Sequence, residues 1–311
     1  MELFHGCWQS LMRRGVPLTP PFENVPDTIL RGAEHSAVVL GTQTHYWIYG
    51  DTCNPLVVLV HGFRGDHHGL ALIGQYLSDD FCVIIPDLPG FGRTSSVSDA
   101  QHNLSTYAAW LNAFVETVIE DSVVLVGHSF GSIVSTYAAV VRPENFTRVS
   151  LINPISEPAL EGSQKLVSRL ASAYYSVGTK LPEKLGFLWL TSKIVTRASS
   201  EFMMRTTSPE LRAFINGQHD AYFGAFSSRQ TLLDAYETSI SETAAYYAPA
   251  LQTPTQMIVA EDDDLGTLKT ATAMRDSIAT VRMDVIEQVG HLVHYETPRH
   301  AAQLIKEFIE D

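Results

Sequence analysis

Five short, almost wholly apolar runs, separated by stretches of helical periodicity, constrain this sequence more than any other feature. They are Leu56–Val60, Phe81–Ile85, Val123–Val126, Val149–Ile152 and Met257–Ala260. A strand with one wet face alternates apolar and polar residues; a run that is apolar throughout is covered on both faces. A sixth run, Val281–Ile286, alternates and is expected near a sheet edge. Upstream, Ala37–Leu40 and Thr44–Tyr49 read as two strands joined by a turn at Gly41-Thr42. Helical spacing marks Thr106–Ile119, with Asn103 or Ser105 as N-cap, and Ser129–Val141, which stops before Pro143. Thr297–Ile309 opens with an N-cap threonine followed by proline. Strands alternating with helices imply an α/β fold whose mostly parallel sheet is flanked by helices.

One interval breaks the rhythm. Between Ile155 and Pro249 apolar residues recur at helical spacing, as in Leu166-Val167-Leu170-Tyr174, Leu185-Leu188-Trp189 and Phe223-Phe226-Leu232-Leu233-Tyr236. The chain therefore divides into an N-terminal arm (1–35, Pro-rich over 15–28), a core (36–155 and 249–311) and a helical insertion over the sheet (156–248).

The run Val123–Val126 leads into Gly127-His128-Ser129-Phe130-Gly131 and directly into a helix. This is a Gly-x-Ser-x-Gly elbow, in which a serine occupies a tight strand-to-helix turn. Its neighbours two residues away must be small for helix and strand to approach. The helix N-terminus behind Ser129 offers free N–H groups and partial positive charge to an oxyanion. The pentapeptide alone is a weak signal; the flanking strand and helix make it specific.

With these neighbours the chain resembles the α/β-hydrolase superfamily over nearly all of residues 36–311. The resemblance rests on His61-Gly62-Phe63, Asp87-Leu88-Pro89-Gly90-Phe91-Gly92, the elbow, Val259-Ala260-Glu261-Asp262-Asp263 and Gly290-His291. It implies the α/β-hydrolase fold with a helical cap, and a triad in the order Ser, Asp, His. Ser129 is then the nucleophile and His291 its general base, with His294 and His128 as competitors. Asp263 is the acid that orients the imidazole, and Asp264 the alternative one residue on. The backbone N–H groups of Phe63 and Phe130 would form the oxyanion hole. His128, Trp189 and Phe223 are the candidate substrate contacts. Arg64 beside the oxyanion loop is expected on the surface, where most arginines lie, and the Asp87–Gly92 run is expected to be a structural turn.

The formal charge of −13 is uneven: residues 156–249 hold nine Lys/Arg and nine Asp/Glu, the remainder twelve against twenty-five. An acidic chain without a basic cluster argues against nucleic acid and anionic membranes as partners and favours an uncharged or apolar small molecule. No segment approaches the roughly 18 apolar residues of a membrane span, and residues 1–14 lack the pattern of a signal peptide, so a cytoplasmic protein is expected. Cys7, Cys53 and Cys82 have no ligand spacing, Cys82 reads as a buried small hydrophobe, and no metal or cofactor motif is present. Nothing specifies an oligomeric partner. The resemblance implies ester hydrolysis through an acyl-enzyme. Its alternatives are carbon–carbon hydrolysis or a lyase step with the same triad, a cofactor-free haloperoxidase-like side activity, and a non-catalytic ligand binder. Serine at the elbow argues against haloalkane dehalogenases and epoxide hydrolases, whose look-alikes carry aspartate there.

Overall fold

Every aliphatic run becomes a strand of one sheet. The strands are β1 (Ala33–Val39), β2 (Thr42–Tyr49), β3 (Leu56–Val60), β4 (Cys82–Pro86), β5 (Val123–His128), β6 (Phe146–Ile152), β7 (Thr255–Ala260) and β8 (Val281–Ile286). The computed structural model describes residues 32–98, 100–158 and 165–311, with 165–167 by backbone alone. The Pro-rich arm at 15–28 and Cys7 lie outside the described residues. The sheet order is β1-β2-β4-β3-β5-β6-β7-β8. β2 runs antiparallel to both neighbours, and β3 to β8 are parallel.

Apolar side chains on alternate positions feed two separate cores. Val58 and Val60 join Trp110, Leu111, Phe114 and Ile133 on one face. Val57 and Leu59 join Leu70, Ile73, Leu77, Ala301 and Ile305 on the other. Both faces of β3 are dry, which is why its sequence has no alternation. β8, at the edge, is only partly buried, as its alternation indicates.

The helices are α1 (His67–Leu77), α2 (Leu104–Phe114), α3 (Phe130–Val141), α4 (Lys165–Lys180), α5 (Glu183–Leu190), α6 (Lys193–Met203), α7 (Pro209–Tyr222), α8 (Arg229–Ser241), α9 (Ala244–Tyr247), α10 (Leu268–Arg275), α11 (Val293–Glu296) and α12 (Pro298–Glu310). Asn103 caps α2 through a bond from Thr106 N, and the helix continues as a π-turn over Val115–Ile119. Thr297 occupies the N-cap position of α12 but makes no side-chain capping bond.

Several expectations shift. β1 begins four residues early because its exposed edge tolerates Glu34, His35 and Ser36. The hairpin turn is Leu40-Gly41 (φ 48° and 77°) rather than Gly41-Thr42. Two positive φ values match the right-handed twist of the flanking strands. The stretch Phe223–Tyr236 is not one helix. The chain leaves α7 at Tyr222, Phe226 bridges to Phe91, and α8 starts at Arg229. α1 has no counterpart in the sequence reading, because its seven buried residues, from His67 to Leu77, are spread around the helix and leave no clear stripe. α9 packs on α3, with the Tyr137 and Tyr247 ring centroids 4.7 Å apart, rather than among the helices of the insertion. Cys82 is buried as expected and Cys53 is exposed. Asp87 is buried and ties the turn after β4 to α1, accepting from His67 N at 2.8 Å and Arg93 N at 2.8 Å. Among the described residues no helix is long and apolar enough to cross a membrane.

Backbone packs tightly where α3 meets β5 and the end of β3. A Cβ on Gly131 would press into the Val60 carbonyl and lie 2.7 Å from that of His61, and one on Gly127 would lie 2.5 Å from Gly131 O. Gly131→Ala is therefore expected to lower stability by about 1–3 kcal/mol or more, as overpacking does. Urea unfolding checks it, and unchanged stability would contradict this account of the elbow.

Candidate active site

Ser129 sits at the end of β5 with φ 55° and ψ −120°, a conformation costly for a residue with a Cβ. Its amide donates to Ile152 O at 3.1 Å, continuing the β5–β6 ladder by one residue. Its carbonyl is held from inside α3, by Ser132 N at 2.8 Å and Ser132 Oγ at 2.5 Å. Strand and helix thus fix the serine from both sides.

The loop after β3 runs alongside. A Cβ on Gly62 would lie 3.2 Å from Ser129 Cβ, so the backbone leading into Phe63 passes close to the serine. Phe130 is the first residue of α3, where amides have no intrahelical acceptor. Among the described residues neither Phe63 N nor Phe130 N meets an acceptor. The Phe63 ring packs against Phe130, Phe91, Tyr175 and Tyr236, which pins that loop.

His291 lies between β8 and α11. Its Nε2 is 2.8 Å from Ser129 Oγ, and its Nδ1 is 2.9 and 3.0 Å from the two oxygens of Asp263. Asp263 is buried in the turn after β7 and also accepts from Leu265 N at 2.8 Å. Asp264, one residue on, is partly exposed and forms an ion pair with Arg205. The structure thus brings Asp263 to the imidazole and turns Asp264 toward the insertion.

Asn153, just past β6 and with φ 44°, is a site residue that sequence reasoning missed. Its Oδ1 accepts from Ala260 N at 2.7 Å, at the end of the acid-bearing strand. Its Nδ2 donates to Gly290 O at 3.2 Å and to His291 O at 3.0 Å. One amide therefore ties the ends of β6 and β7 to the loop that carries His291. Its only local signal is an asparagine after an aliphatic run and before Pro154, since asparagine tolerates positive φ.

Other expected site residues fall in varied places. His128 Nε2 lies 3.2 Å from His291 O, and its ring packs 4.2 Å from that of His294. Burial first, then the neighbouring His291, push His128 down to about 3, so it stays neutral. Trp189 is 44% exposed, and its indole packs on and donates to Tyr174 rather than meeting Ser129, His291 or Asp263. Phe223 follows α7 and offers its carbonyl to Arg64. Arg64 corrects an expectation: it is buried rather than on the surface, donating to Phe223 O, Leu190 O and Tyr175 Oη. Its partners lie more than 100 residues away, so no local pattern marks it. Asp66, His67 and His68 bring ligand-type atoms within 4.8 Å of one another. Each is engaged within the protein: Asp66 with His68, and His67 with Asp87.

Comparison with known proteins agrees with this architecture. Residues 55–298 match the alpha/beta hydrolase fold family. The chain is 23% identical over 270 residues, 86% of its length and 94% of the relative's, to the (E)-2-((N-methylformamido)methylene)succinate hydrolase of Acinetobacter baylyi. It is 20% identical to the monoacylglycerol lipase ABHD6 of Mus musculus, covering 82% of this chain and 75% of the lipase. Among solved structures a membrane phospholipase A superimposes with a TM-score of 0.74 at 18% identity, covering 99% of this chain and 91% of that one.

Two outcomes follow from the geometry. Asp263→Asn is expected to cost up to about 10⁴-fold in turnover by allowing the wrong imidazole tautomer, whereas Asp264→Asn leaves turnover nearly intact. Steady-state kinetics of the two variants decide this, and a crippled Asp264→Asn would reverse the assignment. The second concerns acid. His128 and His219 both sit near 3 in the folded protein, burial being the main cause. Unfolding restores their ordinary affinity for protons, so their contribution is full above pH ~6.5 and is lost as pH falls toward 3. At pH 5 each is expected to cost about 2 kcal/mol. The raised His67 acts in the opposite direction. Urea unfolding at pH 7.5 and 5.0 measures the net loss, and equal stability at both would refute it.

Proposed function

The chain belongs to the alpha/beta hydrolase fold family, and from that premise we propose that it is a serine hydrolase cleaving a carboxylic ester or related acyl compound. The observation that carries this reading is the 2.8 Å contact between Ser129 Oγ and His291 Nε2, continued through Nδ1 to Asp263. A free serine hydroxyl is a poor nucleophile, and a base in hydrogen-bond reach remedies that.

On this reading Ser129 Oγ attacks the acyl carbonyl carbon while His291 Nε2 takes its proton. Asp263 holds Nδ1–H and stabilises the imidazolium that results. The carbonyl oxygen becomes an oxyanion between the amides of Phe63 and Phe130, with the N-terminus of α3 adding its partial charge. His291 then protonates the departing alcohol oxygen, and the acyl group stays on Ser129. Water attacks the acyl-enzyme with His291 again as base, releasing the acid and restoring Ser129. The kinship with a monoacylglycerol lipase supports an ester as the bond cleaved. The helices between β6 and β7 act as a cap: substrate enters beneath them at the carboxyl ends of the strands, where open α/β sheets carry their sites.

Ser129→Ala is expected to fold normally and to lose at least about 10³-fold in turnover. A fluorophosphonate probe should label the wild type at Ser129 and leave Ser129→Ala unlabelled. Near-native turnover in the variant would end the proposal. A series of nitrophenyl esters run beside vinylogous 1,5-diketones tests the bond cleaved. Turnover of the diketones alone would move the reading to carbon–carbon hydrolysis.

A further inference from the structure

Arg64 is a buried cation that no carboxylate neutralises. It is 7% exposed, and its acceptors are the Phe223 carbonyl (3.2 Å from Nε, 3.1 Å from Nη2), the Leu190 carbonyl (2.8 Å from Nη2) and the Tyr175 hydroxyl (3.3 Å from Nη1). All three are neutral. In a chain with thirty-four Asp and Glu, none among the described residues pairs with it. Burying a guanidinium without a counter-charge costs several kcal/mol. Joining a loop to two helix ends does not require that charge, since an uncharged amide also donates to carbonyls. Its five N–H groups make four bonds to these three acceptors, and the Tyr174 hydroxyl is a further neutral neighbour of the guanidinium.

Its position gives the charge a use. Arg64 follows Phe63 in the loop beside Ser129, and its φ of 61° turns the chain sharply there. Facing it from α7 is His219, whose ring stacks on Phe223 with centroids 3.9 Å apart. Burial first, then the charge of Arg64, hold His219 neutral. His219 Nδ1 is bonded to Ser200 Oγ, while Nε2 is buried and meets no partner among the described residues. When Nδ1 accepts from the serine hydroxyl, Nε2 carries a proton it can donate. Tyr295 links His219 to the triad side: its ring lies 5.6 Å from His219 and 4.2 Å from His294, whose buried Nδ1 is also unpartnered.

We infer that the site takes a substrate bearing a single carboxylate, received by the Arg64 guanidinium and the His219 Nε2–H. One fixed positive charge flanked by neutral imidazoles balances one negative charge, which favours a carboxylate over a doubly charged phosphate. This departs from the uncharged substrate expected from the net charge of the chain; the local charge at the site outweighs the global one. The inference rests on Ser129 being the nucleophile, because the substrate would then lie against the loop that carries Arg64.

The test separates the two. Wild-type kcat/KM is measured for 4-nitrophenyl hydrogen glutarate and for its neutral counterpart 4-nitrophenyl pentanoate, with hexanoate and hexanamide as competing ligands followed by calorimetry. The glutarate ester and hexanoate are expected to win, and Arg64→Gln is expected to cut each preference about 10- to 100-fold, the usual worth of a hydrogen bond to a charged group. His219→Phe keeps the stacking on Phe223 and should lower the preference in the same direction, so the inference stays testable if Arg64→Gln does not fold. Equal use of both esters and equal binding of both ligands by the wild type would overturn it. So would an Arg64→Gln protein that loses both esters in proportion, since Arg64 would then be only a clasp. Failure of the nucleophile reading looks different: no fluorophosphonate labelling, with the hexanoate preference intact.

Discussion

Everything at the site hangs on one junction, where β5 turns into α3 through a serine in a conformation that side chains avoid. Ser129 is held at φ 55° because the peptides on either side have no freedom to relax it. Its amide belongs to the sheet and its carbonyl to the helix. Glycine at 131 permits the close approach of α3 to the end of β3, and glycine at 127 that of α3 to β5. The strain is met by the sheet, whose central strands are buried on both faces, so that the hydroxyl projects from a rigid floor. The same approach sets the loop after β3 beside the serine, which puts Ser129 and the amides of Phe63 and Phe130, the proposed oxyanion donors, in one backbone arrangement.

His291 and Asp263, the proposed base and acid, are fixed differently, by polar contacts between loops. The turn after β7 and the loop after β8 carry Asp263 and His291, and neither is a regular element. Asn153 makes up for that. It bonds to the last amide of β7 and to two carbonyls of the His291 loop, while His128 meets the second of those carbonyls from the elbow itself. A protonated ring buried beside His291 would oppose positive charge on that imidazole. Burial keeps His128 neutral.

What was legible in the sequence divides along the same line. Ser129, His291 and the acidic run could be read because each is announced by its local context, a strand before it and a small residue or turn beside it. The choice between Asp263 and Asp264 could not be settled locally. Both carboxylates sit in one turn, and only the third dimension gives one to His291 and the other to Arg205. Arg64 was misplaced for a related reason. Composition puts arginine outside, and its acceptors at Leu190 and Phe223 become neighbours only after the insertion folds over the sheet. Asn153 went unnoticed because a single asparagine at a strand end resembles any loop residue. α1 was missed because burial around most of its circumference erases the periodicity that reveals a helix.

The insertion touches the core beside each group of the site. Arg64 adjoins Phe63 and binds the carbonyls at the ends of α5 and α7. Asp264 adjoins Asp263 and pairs with Arg205 after α6. Glu296, in the short helix that follows His291, accepts from Arg205 N at 3.0 Å and Thr206 N at 2.8 Å. Each anchor is a charged side chain next to, or a few residues from, a group of the site, and two of the three converge on Arg205. Charge-assisted bonds of this kind lose much of their strength when water enters. Lifting the helices from the sheet would therefore weaken all three anchors together and loosen the loops that carry Asp263, His291 and Phe63. On the proposed reading, the helices between β6 and β7 are part of what positions the reacting groups.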